Sequence, residues 1–388
     1  MRPVKFTANN RITLLHCGAE YFPALIKAIE EAHFAVYLET YIFADDPTGR
    51  EVSQALKRAA ARGIRVYVIT DWIGTGRHQC AKWHKELSAV GVYHRTFNPW
   101  FKRGISRTHR KLCVVDCKVA FLGGLNINDD MLLDSDPEVV LPAPRWDFAV
   151  RLEGPLVSAI HDEMTLQWER VDRVDFRTRW ERFRENLSQP EGAGIKPASA
   201  ALVVRDNLRN RLTIQKSYLR ALGSARQSAW LANPYFAPNR KLRDALSAAA
   251  RRGVQVTLVL GVGQFALQDA VAQSFYPKLM KSGVRIVEYR KTQLHGKVAV
   301  VDDQWATVGS SNYDGLSLFI NQEANIVVND ADFACALREH IEHAVSEGVA
   351  INPEEFINIP WYRRAWYRGA YLLYKNVLRI VTFGKYTE

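Results

Sequence analysis

A short pattern that occurs twice limits how this chain can fold. The pattern is H-x-K-x4-D followed by G-[GS]-x-N. Its members are His109, Lys111, Asp116 and Asn126 in the first copy and His295, Lys297, Asp302 and Asn312 in the second. The offset is constant, since 295 − 109 and 312 − 126 both give 186 residues. Repetition at one fixed offset indicates a duplicated unit.

Each copy begins where an apolar run begins, which is typical of a buried strand. The histidine and the lysine are two positions apart, so alternation along the strand places them on one face. The aspartate follows the lysine at an odd spacing and faces the other way. We therefore place Asp116 and Asp302 among the catalytic motif residues, and we expect their main role to be positioning.

The segments around the motifs repeat as well. In the first half, the helix-like stretches YFPALIKAIEEAH and EVSQALKRAAARG alternate with the strand-like stretches AVYLETYIF and IRVYVIT. The second half has the same order in IQKSYLRALGSAR, SAWLANPYF, KLRDALSAAARRG and VQVTLVL. Gly63 and Gly253 take corresponding places at helix ends. This alternation predicts an α/β fold with a mixed or mostly parallel sheet covered on both faces.

Composition narrows the possible partners. The chain has 388 residues, 47% of them hydrophobic, which is enough for two domains or a duplicated one. Its formal charge of +11 favours an anionic partner, either a nucleic acid or a phospholipid surface. The five cysteines are unpatterned and predict no disulfide framework. No apolar run is long enough for a signal peptide or a spanning helix, so any membrane contact is expected to be peripheral.

The paired motifs resemble the signature of the phospholipase D superfamily. Within it, the stretch LHGKVAVVDDQWATVGSSNYDGLSLFINQEANIVV is similar to the bacterial cardiolipin synthases, especially their B-type branch, and the likeness extends over about residues 11–347. The resemblance implies two phospholipase D-like α/β/α repeats whose mixed sheets pack face to face around one active-site cleft. It also implies transfer of a phosphatidyl group between two phosphatidylglycerols, and a peripheral place on the cytoplasmic face of a bacterial inner membrane.

Paired histidines and lysines suit phosphodiester chemistry without a metal or another cofactor. One imidazole attacks phosphorus while the other protonates the leaving oxygen, and the duties reverse when an alcohol attacks the phosphoryl-histidine. The resemblance favours His109 as the nucleophile and His295 as the acid and base. The residues expected to bind the phosphate oxygens are Lys111, Lys297, Asn126, Asn312 and Ser310. Asp147 and Glu323 open corresponding strands and are expected to orient the imidazoles.

The chain divides into four predicted segments. The first repeat is expected at residues 1–172, a helix and linker at 173–200, the second repeat at 201–347, and a basic, aromatic membrane-docking segment at 348–388. The first half is longer than the second between residues 91 and 109 and between 126 and 147. These loops lie next to the motif and are expected to roof the cleft, although they could be surface elaborations.

The C-terminal segment has the pattern of an interfacial helix. At about 100° per residue, a basic stripe opposes an apolar one. The apolar stripe contains Tyr362, Trp366, Ala370, Leu373, Val377 and Ile380, and the basic stripe contains Arg364, Arg368, Lys375 and Arg379. With Trp361, these residues favour docking on an anionic membrane. The alternative is a helix packed on its own domain.

Three other functions remain open. A nuclease or phosphodiesterase of the same superfamily would use the positive charge on a nucleic-acid backbone. A hydrolase would pass the phosphatidyl group to water. A non-catalytic membrane scaffold would retain the motifs as remnants. We expect anionic phospholipid and a membrane surface, not nucleic acid, as partners.

Overall fold

The structure, a computed structural model, describes residues 4–133, 136–171, 198–206, 210–315, 317 and 320–381. The described strands of the first half are β1 (Thr7–His16), β2 (Ala35–Thr40), β3 (Arg65–Asp71), β4 (Tyr93–Phe97), β5 (Lys102–Ile105), β6 (Leu112–Val115), β7 (Val119–Gly123), β8 (Leu132–Leu133), β9 (Asp136–Val140) and β10 (Phe148–Glu153). Its described helices are α1 (Cys17–Glu30), α2 (Pro47–Ala61), α3 (Arg77–Ser88) and α4 (Leu156–Val171).

The second half continues the same alternation. Its described strands are β11 (Ala198–Arg205), β12 (Ser228–Asn233), β13 (Gln255–Gly261), β14 (Arg285–Tyr289), β15 (Val298–Val301), β16 (Trp305–Gly309), β17 (Glu323–Asn329) and β18 (Val349–Ala350). Its described helices are α5 (Thr213–Ser224), α6 (Arg240–Arg251), α7 (Ala266–Gln273), α8 (Tyr276–Lys281), α9 (Ala331–Glu347), α10 (Pro353–Ile357) and α11 (Trp361–Val381).

The equivalent helices α2 and α6 have the same kind of cap at each end. The Asp46 side chain accepts the Gly49 N–H at 2.7 Å at the start of α2, and Asn239 caps α6 in the same way. Both helices end shortly before a glycine in the left-handed region, with φ of 86° at Gly63 and 92° at Gly253. Glycine adopts this φ without a Cβ penalty. The predicted ends of these two helices are therefore confirmed.

Fifteen of the described strands form one mixed sheet. In each half, three parallel strands lie beside an antiparallel group, and the corresponding strands are β2-β3-β4 with β6-β7-β10 and β12-β13-β14 with β15-β16-β17. Strand β1 pairs with β10 on one side and with β11 on the other, and so joins the halves. The α/β class with two repeats is confirmed, but the two mixed sheets are continuous with each other at β1.

One apolar cluster is shared between the halves. It contains Val150 and Ile160 from the first half and Val300, Val308 and Leu337 from the second, all buried. Strand β7 also packs against β16 and β17. Because side chains of both halves fill one core, the structure binds the two repeats into a single folded unit.

Two predicted boundaries need correction. Strand β11 begins at Ala198, so the linker predicted at 173–200 ends earlier, and residues 173–197 lie outside the described residues. Strand β18 pairs antiparallel with β14 through Glu288↔Val349, so the second repeat extends beyond residue 347. Backbone pairing at a sheet edge, which local composition does not reveal, sets both limits.

The C-terminal helix α11 packs on the second half along one face. Tyr371 lies edge-on to Phe275 with ring centroids 5.2 Å apart, and the Gly315 N–H donates to the Tyr374 hydroxyl at 2.7 Å. Ala370, predicted on the exposed apolar stripe, is instead buried in this interface. Its small side chain allows close approach of the helix to the body.

The other apolar residues of the stripe are exposed. Trp366 is 53% exposed and Ile380 75%, and Tyr362, Leu373 and Val377 are also exposed. The helix therefore packs on its own domain and still presents an apolar surface. Among the described residues, no helix is long and apolar enough to cross a bilayer.

Candidate active site

Each motif histidine is anchored by the opposite half of the chain. The backbone N–H of His109 donates to the Gln322 carbonyl oxygen at 2.9 Å, and the backbone N–H of His295 donates to the Trp146 carbonyl oxygen at 2.9 Å. Gln322 and Trp146 directly precede the two carboxylates that were expected to orient the imidazoles. The backbone thus brings both motifs and both carboxylates to one place, at the junction of the halves.

The imidazole–carboxylate pairs cross between the halves. His109 Nδ1 lies 3.1 Å from Glu323 Oε2 and 3.0 Å from the Ser310 carbonyl oxygen. His295 Nδ1 lies 2.5 Å from Asp147 Oδ2. A carboxylate at Nδ1 fixes the tautomer and leaves Nε2 available for chemistry.

Burial and the neighbouring charges set the protonation states. Burial lowers the pKa of His109 below its usual range and outweighs Glu323, which raises it. Burial works to raise the pKa of Asp147, but His295 and Lys297 outweigh it and hold that pKa at about 2. Burial likewise opposes ionisation of Glu323, but its pairing with His109, the nearby Lys111 and the hydrogen bond from Ser310 together lower its pKa. At neutral pH, His109 is therefore neutral and both carboxylates are ionised.

The motif lysines lie beside the histidines. Lys111 Nζ donates to the His109 carbonyl oxygen at 2.8 Å, and Lys297 Nζ donates to the His295 carbonyl oxygen. Both lysines are buried, at 3% and 0% exposure. Two ammonium groups in a site this dry give a strong local field for an anionic group.

The motif asparagines are buried next to the same strands. The Asn126 Oδ1 accepts the Ile42 N–H at 3.3 Å. Asn312 is 5% exposed, and its Oδ1 has no hydrogen-bond partner in the part of the chain that the structure describes. The amide NH2 group of each asparagine is a donor, and it is this part of the side chain that can bind phosphate oxygens.

The motif aspartates lie away from the imidazoles, at the far ends of β6 and β15. The Asp116 carboxylate accepts the backbone N–H groups of residues 33–35 at 2.8–2.9 Å. The Asp302 carboxylate accepts those of residues 226–228 at 2.8–3.0 Å. We predicted these aspartates among the catalytic residues, and the structure corrects this to the positioning role alone. Asp116 holds the turn that leads into β2, and Asp302 holds the turn that leads into β12.

Comparison with known proteins identifies the family. A family profile described as "Cardiolipin synthase, PLD-like domain" matches residues 25–153 and 218–345. Cardiolipin synthase B of Escherichia coli (strain K12) is 38% identical over 344 residues, which cover 87% of this chain and 81% of that protein. The chain belongs to the cardiolipin synthase family. The predicted resemblance and the two phospholipase D-like repeats are thereby confirmed.

One further relative and two solved structures are also similar to the chain. The probable cardiolipin synthase YwiE of Bacillus subtilis (strain 168) is 29% identical over 366 residues, 91% of this chain and 69% of that protein. Phosphatidylserine synthase of Haemophilus influenzae Rd KW20 superposes with a TM-score of 0.71 at 14% identity, covering 98% of this chain and 96% of the other. Polyphosphate kinase of Porphyromonas gingivalis gives 0.54 at 12% identity, over 94% of this chain and 56% of the other. These two structures share the fold.

In this member of the cardiolipin synthase family, the Ser310 hydroxyl contacts the orienting carboxylate Glu323. Its hydroxyl donates to Glu323 Oε2 at 2.5 Å and accepts the Ala324 N–H at 3.0 Å, and the residue is fully buried. Its counterpart is Gly124, where a Cβ would lie only 2.2 Å from Asp147 Oδ1. These contacts give Ser310 a place in positioning Glu323, and its predicted contact with phosphate stays a prediction.

Tyr41 is a site residue that the sequence analysis missed. Its ring lies 4.8 Å from the His109 ring, centroid to centroid, and Arg107 donates to its hydroxyl at 3.1 Å. Lys111 Nζ is 5.3 Å from the Tyr41 ring centroid. The corresponding residue of the second half is Pro234, and this mismatch between AVYLETYIF and SAWLANPYF is the signal that could have revealed it.

Arg110 was also missed. Its side chain is 1% exposed and makes two hydrogen bonds to Glu39, at 3.1 and 3.0 Å, and one to Glu163 at 2.9 Å. The second half has Gly296 at this place, where a Cβ would lie 2.7 Å from the Trp146 ring. The segment that leads from His109 into β6 is thus held by a buried ion pair, whereas the segment that leads from His295 into β15 packs against the Trp146 ring.

The two longer loops of the first half both reach the second half beside the motifs. The Gln322 N–H donates to the Arg107 carbonyl oxygen at 2.8 Å. Arg145 Nε donates to the Gln293 side chain at 3.0 Å, and the Thr292 hydroxyl donates to the Ala143 carbonyl oxygen at 2.6 Å. Whether the loops roof the cleft stays a prediction.

Proposed function

We propose that this protein is a cardiolipin synthase. It transfers a phosphatidyl group from one phosphatidylglycerol to a second one and releases glycerol. The observation that carries this proposal is the crossed pair of imidazoles, each held by a buried carboxylate and flanked by a buried lysine, in a chain of the cardiolipin synthase family.

The reaction proceeds in two displacements at phosphorus. His109 Nε2 attacks the donor phosphorus, the bond from phosphorus to the glycerol oxygen breaks, and protonated His295 gives its proton to that oxygen. The hydroxyl of the second phosphatidylglycerol then attacks the phosphatidyl-histidine. His295 takes the hydroxyl proton, and the bond from phosphorus to His109 breaks.

The assignment of His109 as the nucleophile rests on its surroundings. Burial keeps its imidazole neutral, and its Nδ1–H is shared between the Ser310 carbonyl oxygen and Glu323. Both carboxylates are ionised, but His295 Nδ1 lies closer to its partner, 2.5 Å from Asp147 Oδ2, than His109 Nδ1 does, 3.1 Å from Glu323 Oε2. An ionised carboxylate at this distance stabilises an imidazolium, which suits the general acid.

The lysines and asparagines bind the transferred group. Lys111, Lys297, Asn126 and Asn312 supply charge and amide groups to the non-bridging oxygens, where negative charge grows as the phosphorus becomes pentacoordinate. Their burial favours this role, since preorganised dipoles act most strongly where water is excluded.

Docking on an anionic membrane by α11 completes the proposal. The helix exposes Trp366, Leu373 and Ile380, and its cations Arg364, Arg368, Lys375 and Arg379 are placed to meet lipid phosphates. Trp361, 77% exposed at the start of the helix, adds an interfacial aromatic residue. We infer peripheral association with the cytoplasmic face of a bacterial inner membrane, in keeping with the family.

The test is turnover of phosphatidylglycerol vesicles by the purified protein with a chelator present. We expect cardiolipin and glycerol in equal amounts from the unmodified chain, and none from His109→Asn or His295→Asn. The exposed His78→Asn serves as the matched control and should retain activity. Phosphatidic acid in place of cardiolipin would make the protein a hydrolase, and no lipid turnover would overturn the proposal.

A further inference from the structure

A groove of about 450 Å³ lies between α11 and the body of the second half. Four cations line it, Arg243 from α6, Lys278 from α8, and Arg368 and Lys375 from α11. No carboxylate is among the described residues that line it, although Lys278 Nζ lies 3.5 Å from Asp244 Oδ1 outside the lining. Cations gathered around a cavity repel one another, and an anion that enters relieves this repulsion.

Arg243 is the cation of the groove most clearly prepared for a ligand. Its guanidinium carbon lies 4.7 Å from the Phe275 ring centroid, so the aromatic ring supports the flat face of the group. Its Nε is buried and has no hydrogen-bond partner among the residues that the structure describes. A stacked guanidinium with an unused donor matches the geometry of a phosphate oxygen.

The rest of the groove is apolar. Phe275, Leu279, Tyr371 and Leu372 line it beside the cations. Leu372 is 56% exposed, so this apolar surface continues out to the solvent side of α11. A ligand that fits has an anionic phosphate and a hydrocarbon chain in one molecule. A free phosphate would leave the apolar lining uncovered.

We propose that the groove binds the phosphodiester of one anionic phospholipid from the membrane, with an acyl chain along Phe275, Tyr371 and Leu372. This is a lipid site separate from the motif histidines, and it rests on the proposed docking of α11. It has a route to the active site, because α11 also holds Gly315, three residues after Asn312, through the Tyr374 hydroxyl. A lipid that bridges α11 to α6 and α8 braces this loop.

The test is photolabelling of the full chain by phosphatidylcholine vesicles that contain a small fraction of phosphatidylglycerol with a diazirine on its acyl chain. Labelled peptides are mapped by mass spectrometry. The test variant is Arg243→Gln with Lys278→Gln. The control is Lys241→Gln with Lys281→Gln, which removes two exposed cations from the same two helices and gives the same net charge.

We expect labels on residues 274–279 and, in α11, on Tyr371 and Leu372. Relative to the unmodified chain, labelling of the groove should fall about fivefold or more in the test variant and stay within about twofold in the control. Labelling near His109 and His295 should be equal in both variants. Equal labelling of the groove in both variants, or its displacement by inorganic phosphate at the concentration of the lipid, would overturn the proposal. Labels on Trp366 and Leu373 without labels in the groove would also overturn it and leave docking intact. Absence of all labels from α11 would contradict docking itself.

Discussion

At the scale of single residues, the two halves hold their imidazoles by different means. Asp147 is the shorter carboxylate and approaches through space that only Gly124 leaves open. Glu323 is one methylene longer and is steadied by the Ser310 hydroxyl. Two copies of one motif have thus acquired unlike partners, which suits two imidazoles with unlike duties.

Replacing Glu323 with glutamine tests the orientation of the nucleophile. Glutamine keeps the shape and removes the charge, so we expect kcat/KM to fall by about 10²- to 10⁴-fold, in line with losses seen when an orienting carboxylate is neutralised. Glu323 raises the pKa of His109, so its loss lowers that pKa further. Since His109 must be neutral to attack, the acidic limb of the pH–rate profile should move to lower pH. The exposed Glu339→Gln is the control, and an unmoved limb would contradict the pairing.

Gly124 and Ser310 provide a matched pair of substitutions. In Gly124→Ala, the new methyl would overlap Asp147 Oδ1 and push the carboxylate off His295, so we expect activity to fall by more than about 10²-fold. In Ser310→Ala, Glu323 loses one hydrogen bond to a charged group, worth about 1.5–3 kcal/mol, and activity should fall by about tenfold. Turnover of phosphatidylglycerol vesicles measures both, and a fully active Gly124→Ala would show that Asp147 does not orient His295.

At the scale of elements, the motif aspartates fasten turns to strands. Asp116 and Asp302 have φ of 52°, in the left-handed region, and each gathers three backbone N–H groups. A carboxylate at this point fixes where β2 or β12 starts. Strand β6, which follows His109, pairs with β2, and strand β15, which follows His295, pairs with β12. The register of β6 and β15 therefore depends on where β2 and β12 start.

Asp116→Asn separates this role from catalysis. Asparagine tolerates the left-handed backbone but gives up the charge and one acceptor oxygen, so we expect a loss of about 2 kcal/mol in the free energy of unfolding. The thermal midpoint should fall by a few degrees, while kcat per folded molecule stays within about twofold. A large loss of kcat with no loss of stability would place Asp116 at the reacting centre after all.

At the scale of the whole molecule, α11 sets how the protein meets a bilayer. Trp366 and Leu373 are both more than half exposed, and each gains about 1.5–3 kcal/mol if fully buried in an apolar environment. Replacing both with alanine should weaken co-flotation with anionic vesicles by at least about tenfold. Phe34→Ala with Val90→Ala removes exposed apolar side chains elsewhere and should have no effect. Added salt should weaken binding of the unmodified chain, and equal flotation of both variants would contradict docking by this face.

Much of the fold could be predicted because its signals are local. Glycines at helix ends, side-chain periodicity and the constant offset revealed two α/β repeats. The full extent of strand β1, Thr7–His16, could not be predicted, because the polar stretch TANNR carries no strand period. Its pairing with β11 joins residues as far apart as Thr7 and Ala200, about half the chain, and no local pattern encodes such a contact.

The site was predicted less fully, for a related reason. Asp147 and Glu323 were recognisable from their places at equivalent strand starts, but which imidazole each one meets depends on the carbonyl groups of Trp146 and Gln322 in the opposite half. The contact of Ser310 with Glu323 was not predicted, because motif alignment does not give the direction of a side chain. Arg110 gave no signal, since a charged residue between two site residues resembles a surface position until Glu39 is placed beside it.

The crossing of the pairs has a consequence for how such a protein can arise. A single ancestral unit would present an imidazole without its carboxylate and a carboxylate without its imidazole, so it could work only when two copies met. Fusing two copies in one chain replaces that encounter with an effective local concentration in the millimolar range or above. The site then forms at any level of expression, and each copy is free to diverge because its partner is always the other one.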